Sequence, residues 1–329
     1  MILNTYVVTY LLLSLLSLMA GVVALSAGVR VARRWSPGSS SEQQYQLEKK
    51  VYLSMTLVAL GFGMRLAMVP LWFFMLQSLV PSIPGAMCLC GVHLLKTPYS
   101  FISTAMKFLV PMAYGYWLAL NALDRKIETQ PLMKRKLYAL IPLGAMMGVE
   151  SFSDLRFLLA VRPRLVSCCS SVFDDSSSAL IQRMTYSGWG WVAGYAAAAA
   201  ALTAAALFLI HRPRHRLAVV LWILSPLTFI AFFLAVHTRL SPLFLHAEFH
   251  HCVFCVWQKM PDMIAVTAAV CLGCWATILH AATRTVYRCA GAAEEADAHA
   301  AALLRWGSGA LLAANAILAV RLAATAVFD

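Results

Sequence analysis

The sequence predicts an all-α fold, a polytopic membrane bundle of about eight transmembrane helices with both termini outside the cytoplasm. Three observations lead there. The 329 residues are 61% hydrophobic and only 12% charged, whereas soluble domains run near half and a quarter. The apolar residues fall in runs of about 20, the length that crosses roughly 30 Å of hydrocarbon at about 1.5 Å per residue. The basic residues alternate between loops as the positive-inside rule describes. No remaining stretch is long enough for a soluble domain with its own core, so residues 1–329 read as a single membrane domain.

The first run, 5–29, has no Lys or Arg before it and is followed by Arg30, Arg33 and Arg34. That is the pattern of a helix kept in the membrane with its N-terminus outside, not of a cleaved signal peptide. Residues 35–50, WSPGSSSEQQYQLEKK, read as a polar linker. Runs 51–79 and 101–123 each enclose a cation, Arg65 and Lys107, and run 137–160 carries Glu150, Asp154 and Arg156 in VESFSDLR. Run 189–210 contains GYAAAAAALTAAALF, whose small side chains permit close helix approach. Runs 217–236 and 263–283 follow, the latter with Cys271 and Cys274 on one helix face. Residues 290–306 read as a short amphipathic helix on the cytoplasmic surface. It leads into run 307–327, where Arg321 lies near enough to the end to snorkel.

The net charge of +12 from 26 Lys and Arg raises the question of nucleic acid. Sixteen of them lie in loops 30–50, 124–136, 211–216 and 284–306. The alternate loops hold six: Lys96, Arg162, Arg164, Arg183, Arg239 and Lys259. The basicity is therefore topology, and no nucleic-acid partner is expected. The partner implied is the lipid bilayer, with localisation in a bacterial inner membrane.

This orientation puts three cysteine pairs on the outer, periplasmic side: Cys88 and Cys90, Cys168 and Cys169, and Cys252 and Cys255. No inner loop has a pair, and Cys289 stands alone on the cytoplasmic side. Buried cysteine can act as a small hydrophobe, which suffices for Cys289. Extracytoplasmic cysteines face oxidation, so the outer six point to thiol chemistry, metal binding or stapling disulfides. A CxxC pair can close on itself, and a cation or helix N-terminus beside it favours the thiolate. Cys255 is expected at the outer end of run 263–283, with Lys259 or a protonated His251 nearby. For metal, His250, His251, Cys252 and Cys255 are candidate ligands, with His93 just past Cys90; thiolate and imidazole suit copper or zinc, and vicinal thiols also suit mercury.

The run CVFCVWQK, Cys252 to Lys259, resembles the first active motif of the DsbB-type quinone-coupled disulfide oxidases, to which the vitamin K epoxide reductases are related. The resemblance covers eight residues and implies Cys252 and Cys255 as a redox pair next to a quinone, with Lys259 in the basic position after Gln258. It further implies a second cysteine pair that exchanges with a soluble thioredoxin-fold protein, a role open to Cys88, Cys90, Cys168 and Cys169. That family has four helices and an Arg where this chain has Lys259.

Arg65, Lys107, Glu150 and Asp154 read either as a salt-bridge cluster pinning helices together or as a proton path or quinone pocket, since charge inside a bilayer usually has a partner or a function. The leading expectation is an extracytoplasmic thiol–disulfide oxidoreductase coupled to a quinone. The alternatives are a soft-metal binding or transport protein, and a membrane subunit of a larger complex whose cysteines form structural disulfides.

Overall fold

The computed structural model describes residues 4–35, 41–125, 130, 132–166, 188–247, 250–289 and 293–328, and among these the regular structure is entirely helical. The chain divides into two units, Met1–Cys168 and Cys169–Asp329. Among the described residues, six helical spans are long and apolar enough to cross a membrane: Thr5–Arg34, Glu42–Ser82, Gly188–His211, Leu217–Leu245, Asp262–Arg288 and Ala300–Ala326.

Unit 1 is built from α1 (Thr5–Arg34), α2 (Glu42–Leu79), α3 (Leu89–Leu94), α4 (Thr97–Asp124), α5 (Met133–Tyr138) and α6 (Leu140–Ala160). Asn4 caps α1 by accepting the Tyr6 N–H at 2.9 Å, and Arg33 and Arg34 in its last turn suit the helix dipole. Val7, Tyr10, Ser14, Ser17, Ala24, Gly28 and Val31 are buried. They recur every three or four residues and form the seam that packs on α2 and α6. Leu12, Leu15, Met19 and Val22 on the other side are exposed, an apolar stripe that fits lipid.

Helix α2 starts well before the apolar run that defines it in sequence. Ser41 caps it by accepting the Gln44 N–H at 3.3 Å, and EQQYQLEKK contains good helix formers and no Gly or Pro. The polar linker is therefore helical from Glu42 onward. After α2 the backbone turns at Gly85, whose φ is +79°, and a Cβ there would meet the Val166 carbonyl oxygen at 2.2 Å. The Val166 N–H donates to the Pro84 carbonyl at 3.1 Å, which ties the chain following α6 to this turn.

Helix α4 presents a buried polar stripe: Ser100, Ser103, Lys107, Asn121 and Asp124, with Tyr114 and Trp117 between. At its far end Asp124 pairs with Lys136 of α5 at 2.7 Å and accepts the Leu132 N–H at 2.9 Å. The sequence places Lys136 in a solvated loop; here it is 1% exposed. Burial pushes its ammonium pKa down, and Asp124 opposes that shift.

Unit 2 comprises α7 (Gly188–His211), α8 (His215–Ala235), α9 (Ser241–Leu245), α10 (Val253–Lys259), α11 (Asp262–Cys289) and α12 (Ala293–Phe328). A π-helical turn, Val236–Leu240, joins α8 to α9, so this span runs past the residue where the apolar run stops. Helices α11 and α12 approach closely at two glycines. A Cβ on Gly273 would lie 2.5 Å from Leu311 Cγ, and one on Gly307 would lie 3.2 Å from the Gly273 carbonyl oxygen. Asp262 and Arg321 join the ends of the same two helices through contacts of 2.6 and 2.8 Å. The segment expected as a separate surface helix at 290–306 is instead continuous with α12 from Ala293, because this alanine-rich stretch has no proline to stop it.

Candidate functional site

The CxxC motif occupies a helix of its own. Cys252 is the extended N-cap of α10, with φ −89° and ψ 110°, and Val256 donates its N–H to the Cys252 carbonyl at 3.3 Å. Met260 and Pro261 then break the chain before α11 begins at Asp262. The sequence expectation of a cysteine at the mouth of a long transmembrane helix is corrected accordingly: the helix that follows Cys252 has seven residues. Cys255 and Lys259, four residues apart within α10, share one face of it, with Cys252 at its start. The sulfurs of Cys252 and Cys255 lie within 4.8 Å of each other. Both cysteines are partly buried, Val256 is fully buried, and Gln258 and Lys259 are exposed.

A reciprocal histidine clasp holds the chain just before this pair. His251 Nδ1 bonds to the His237 carbonyl at 2.8 Å, and His237 Nδ1 bonds to the His251 carbonyl at 2.7 Å. The two rings stand 5.6 Å apart. A carbonyl oxygen only accepts, so both Nδ1 atoms carry a proton, and the neutral tautomer that makes these bonds has its lone pair on Nε2. His237 lies within the π turn Val236–Leu240, and such turns concentrate at functional sites. His237 is absent from the sequence expectations. Its one signal is a histidine at the end of an apolar run facing HHC fourteen residues on. His250 Nε2 is buried without a hydrogen bond to any described residue. Among the described residues of this unit, no histidine, aspartate or glutamate brings a ligand atom within 4.8 Å of both sulfurs.

In unit 1 the four charges read together in the sequence, Arg65, Lys107, Glu150 and Asp154, converge. Arg65 Nη1 lies 2.8 Å from Glu150 Oε2, and Lys107 Nζ contacts Glu150 Oε1 and lies 2.8 Å from Asp154 Oδ2. Tyr10 donates its hydroxyl to Asp154 Oδ2 at 2.5 Å, and Arg65 Nη2 donates to Ser151 Oγ at 2.8 Å. Lys107 Nζ also sits 5.1 Å from the Tyr10 ring centre and 5.3 Å from that of Trp72, within cation–π range. All four charged residues are 1% exposed. The i, i+4 spacing of Glu150 and Asp154 predicts a shared face, whereas Tyr10 and Trp72 were not foreseen.

His93, on α3, approaches Thr104 Oγ1 through Nε2 at 2.9 Å, and Trp72 Nε1 donates to the same hydroxyl at 3.0 Å. Burial lowers the His93 pKa to about 4. Cys88 precedes α3 as its extended N-cap and is buried; Cys90 lies within α3 and is partly buried. Cys168 and Cys169 lie outside the described residues. Cys274 is buried and Cys271 partly buried on α11. No family model, curated protein or solved structure matches the chain.

Proposed function

We propose that the protein is an integral membrane thiol–disulfide oxidoreductase with Cys252 and Cys255 as its redox pair. The observation that carries this reading is the approach of the two sulfurs to within 4.8 Å at the start of a short helix. Closing the pair would bring the sulfurs to the disulfide bond length of about 2.05 Å. Oxidation forms one S–S bond and releases two electrons and two protons, which a membrane quinone takes up and carries away as quinol. Gln258 and Lys259 stand one turn further on and are the residues offered to the quinone head group. Arg65, Lys107 and Glu150 are engaged with one another and are left out of that contact.

Reducing equivalents enter from a soluble thioredoxin-fold partner by thiol–disulfide exchange through Cys88, Cys90, Cys168 and Cys169. With all eight long helices crossing and both termini outside, the three cysteine pairs share the periplasmic side of a bacterial inner membrane. In cells expressing Cys252→Ser, the soluble partner should accumulate in its reduced form; an unchanged partner disulfide state overturns the reading.

The histidine clasp favours a second reading, a copper or zinc site. Both Nε2 lone pairs are left for a metal while Nδ1 is anchored on a carbonyl, the arrangement that orients ligating histidines. This version predicts stoichiometric metal in the purified protein and no dependence of cysteine oxidation on quinone.

A further inference from the structure

The chain carries a second CxxC, and its geometry differs from that of the first. Cys271 and Cys274 both lie inside the unbroken helix α11, Asp262–Cys289. Counted from Asp262 they sit roughly 14 and 18 Å along it at about 1.5 Å per residue, well inside a candidate membrane span. Residues three apart on a helix hold their Cβ atoms about 5–6 Å apart, whereas a disulfide needs about 3.5–4.5 Å. Cys252 escapes that limit as an extended N-cap; Cys271 and Cys274 have no such freedom. Two metal–thiolate bonds of about 2.3 Å on opposite sides of one ion span about 4.6 Å, which this spacing does accommodate.

The neighbours hold Cys274 in place. Beside it Gly273 packs against Leu311 and Gly307 of α12, and one turn on Thr277 Oγ1 shares a 2.8 Å hydrogen bond with Ser225 Oγ of α8. Cys274 is buried and Cys271 partly buried. Tyr195 of α7 belongs to the same buried cluster as Cys274 and lies within electrostatic reach of it. Its hydroxyl is buried and makes no hydrogen bond to a described residue, although a buried Tyr O–H usually finds a partner.

We propose that Cys271 and Cys274 form a site for a soft, two-coordinate monovalent ion, Cu(I), within the membrane. Thiolate sulfur selects Cu(I) over harder ions. Among the described residues no histidine, carboxylate or third cysteine completes a ligand group with this pair, which leaves zinc short of its usual four ligands. On binding, two S–H bonds break, two Cu–S bonds form, both protons go to the aqueous phase and no electron moves. The complex carries one net negative charge, and Tyr195 is the positioning residue that answers it by donating its hydroxyl to a bound sulfur. The site does not rest on the redox reading of Cys252 and Cys255.

Binding of Cu(I), and of Ag(I) as a redox-inert stand-in, to the reduced full chain in lipid nanodiscs tests this, with the other cysteines replaced by Ser. One ion per chain should bind, with the X-ray absorption signature of copper between two sulfurs. Cys274→Ser should abolish that binding. Tyr195→Phe should weaken it by about 10–100-fold, the usual range for a group hydrogen-bonded to a metal ligand. Absence of a stoichiometric ion overturns the proposal, as does undiminished affinity in Cys274→Ser or in Tyr195→Phe. The wild-type chain supplies a test that needs no substitution. Under an oxidant that closes Cys252 with Cys255, Cys271 and Cys274 should remain two free thiols by mass spectrometry; a disulfide between them overturns the proposal equally.

Discussion

Acidification should destabilise unit 1 through His93, by an amount the structure sets. The imidazole is packed beside Trp72 and hydrogen-bonded to Thr104, and burial holds its pKa at about 4 against an ordinary 6.5. The unfolded chain therefore binds more protons than the folded one between these two values, and stability rises with pH across that window. The neutral histidine costs nothing above about pH 7, and the penalty grows as pH falls through 6.5 and levels off below 4. The linkage amounts to about 2 kcal/mol at pH 5 and about 3 kcal/mol at full protonation. Denaturant titration in micelles at pH near 7.5 and near 5 measures it. His93→Gln keeps a polar group for Thr104 without the titration, so it should lose about 2 kcal/mol less than wild type on acidification. Equal losses in the two proteins would refute the assignment.

Three further outcomes follow from packing and charge. Lys107→Met leaves Asp154 and Glu150 short of a shared cation and should cost about 3–5 kcal/mol in unfolding free energy. Adding Asp154→Asn restores neutrality and should recover a substantial part, so simple additivity in that double-mutant cycle contradicts the coupling. Gly273→Leu forces side-chain atoms into Leu311 and the Gly307 backbone and should destabilise by about 1–3 kcal/mol, read as a lowered unfolding midpoint. Arg321→Gln breaks the pair with Asp262, whose side chains are 35% and 31% exposed; the loss should stay below about 1 kcal/mol and shrink with added salt.

The six helices long and apolar enough to cross a membrane were legible because a run of about 20 apolar residues is itself a physical requirement for crossing lipid. Their ends were less so. Helix α2 begins at Glu42 because Ser41 caps a polar stretch of good helix formers, a signal that hydropathy ignores. The span containing α8 continues through the π turn at His237, since histidine and arginine end an apolar run without ending a helix. At the sites, the meeting of Lys107 with Glu150 and Asp154 follows from charge pairing, but Tyr10 carries no charge and gives no such clue. The His237–His251 clasp was hidden because it runs through backbone carbonyls, which every residue has. The position of CxxC on a separate short helix turns on Pro261, whose missing N–H and fixed φ start α11 afresh.

The central claim is that Cys252 and Cys255 exchange electrons with a quinone, and alkylation trapping of the cysteines in native membranes tests it most directly. The account predicts that a reduced Cys252–Cys255 pair becomes a disulfide, by mass spectrometry, only when quinone is supplied. Thiols that stay reduced with quinone present, and react with the alkylating agent only after a chelator is added, would contradict it and leave the metal site as the function of this motif.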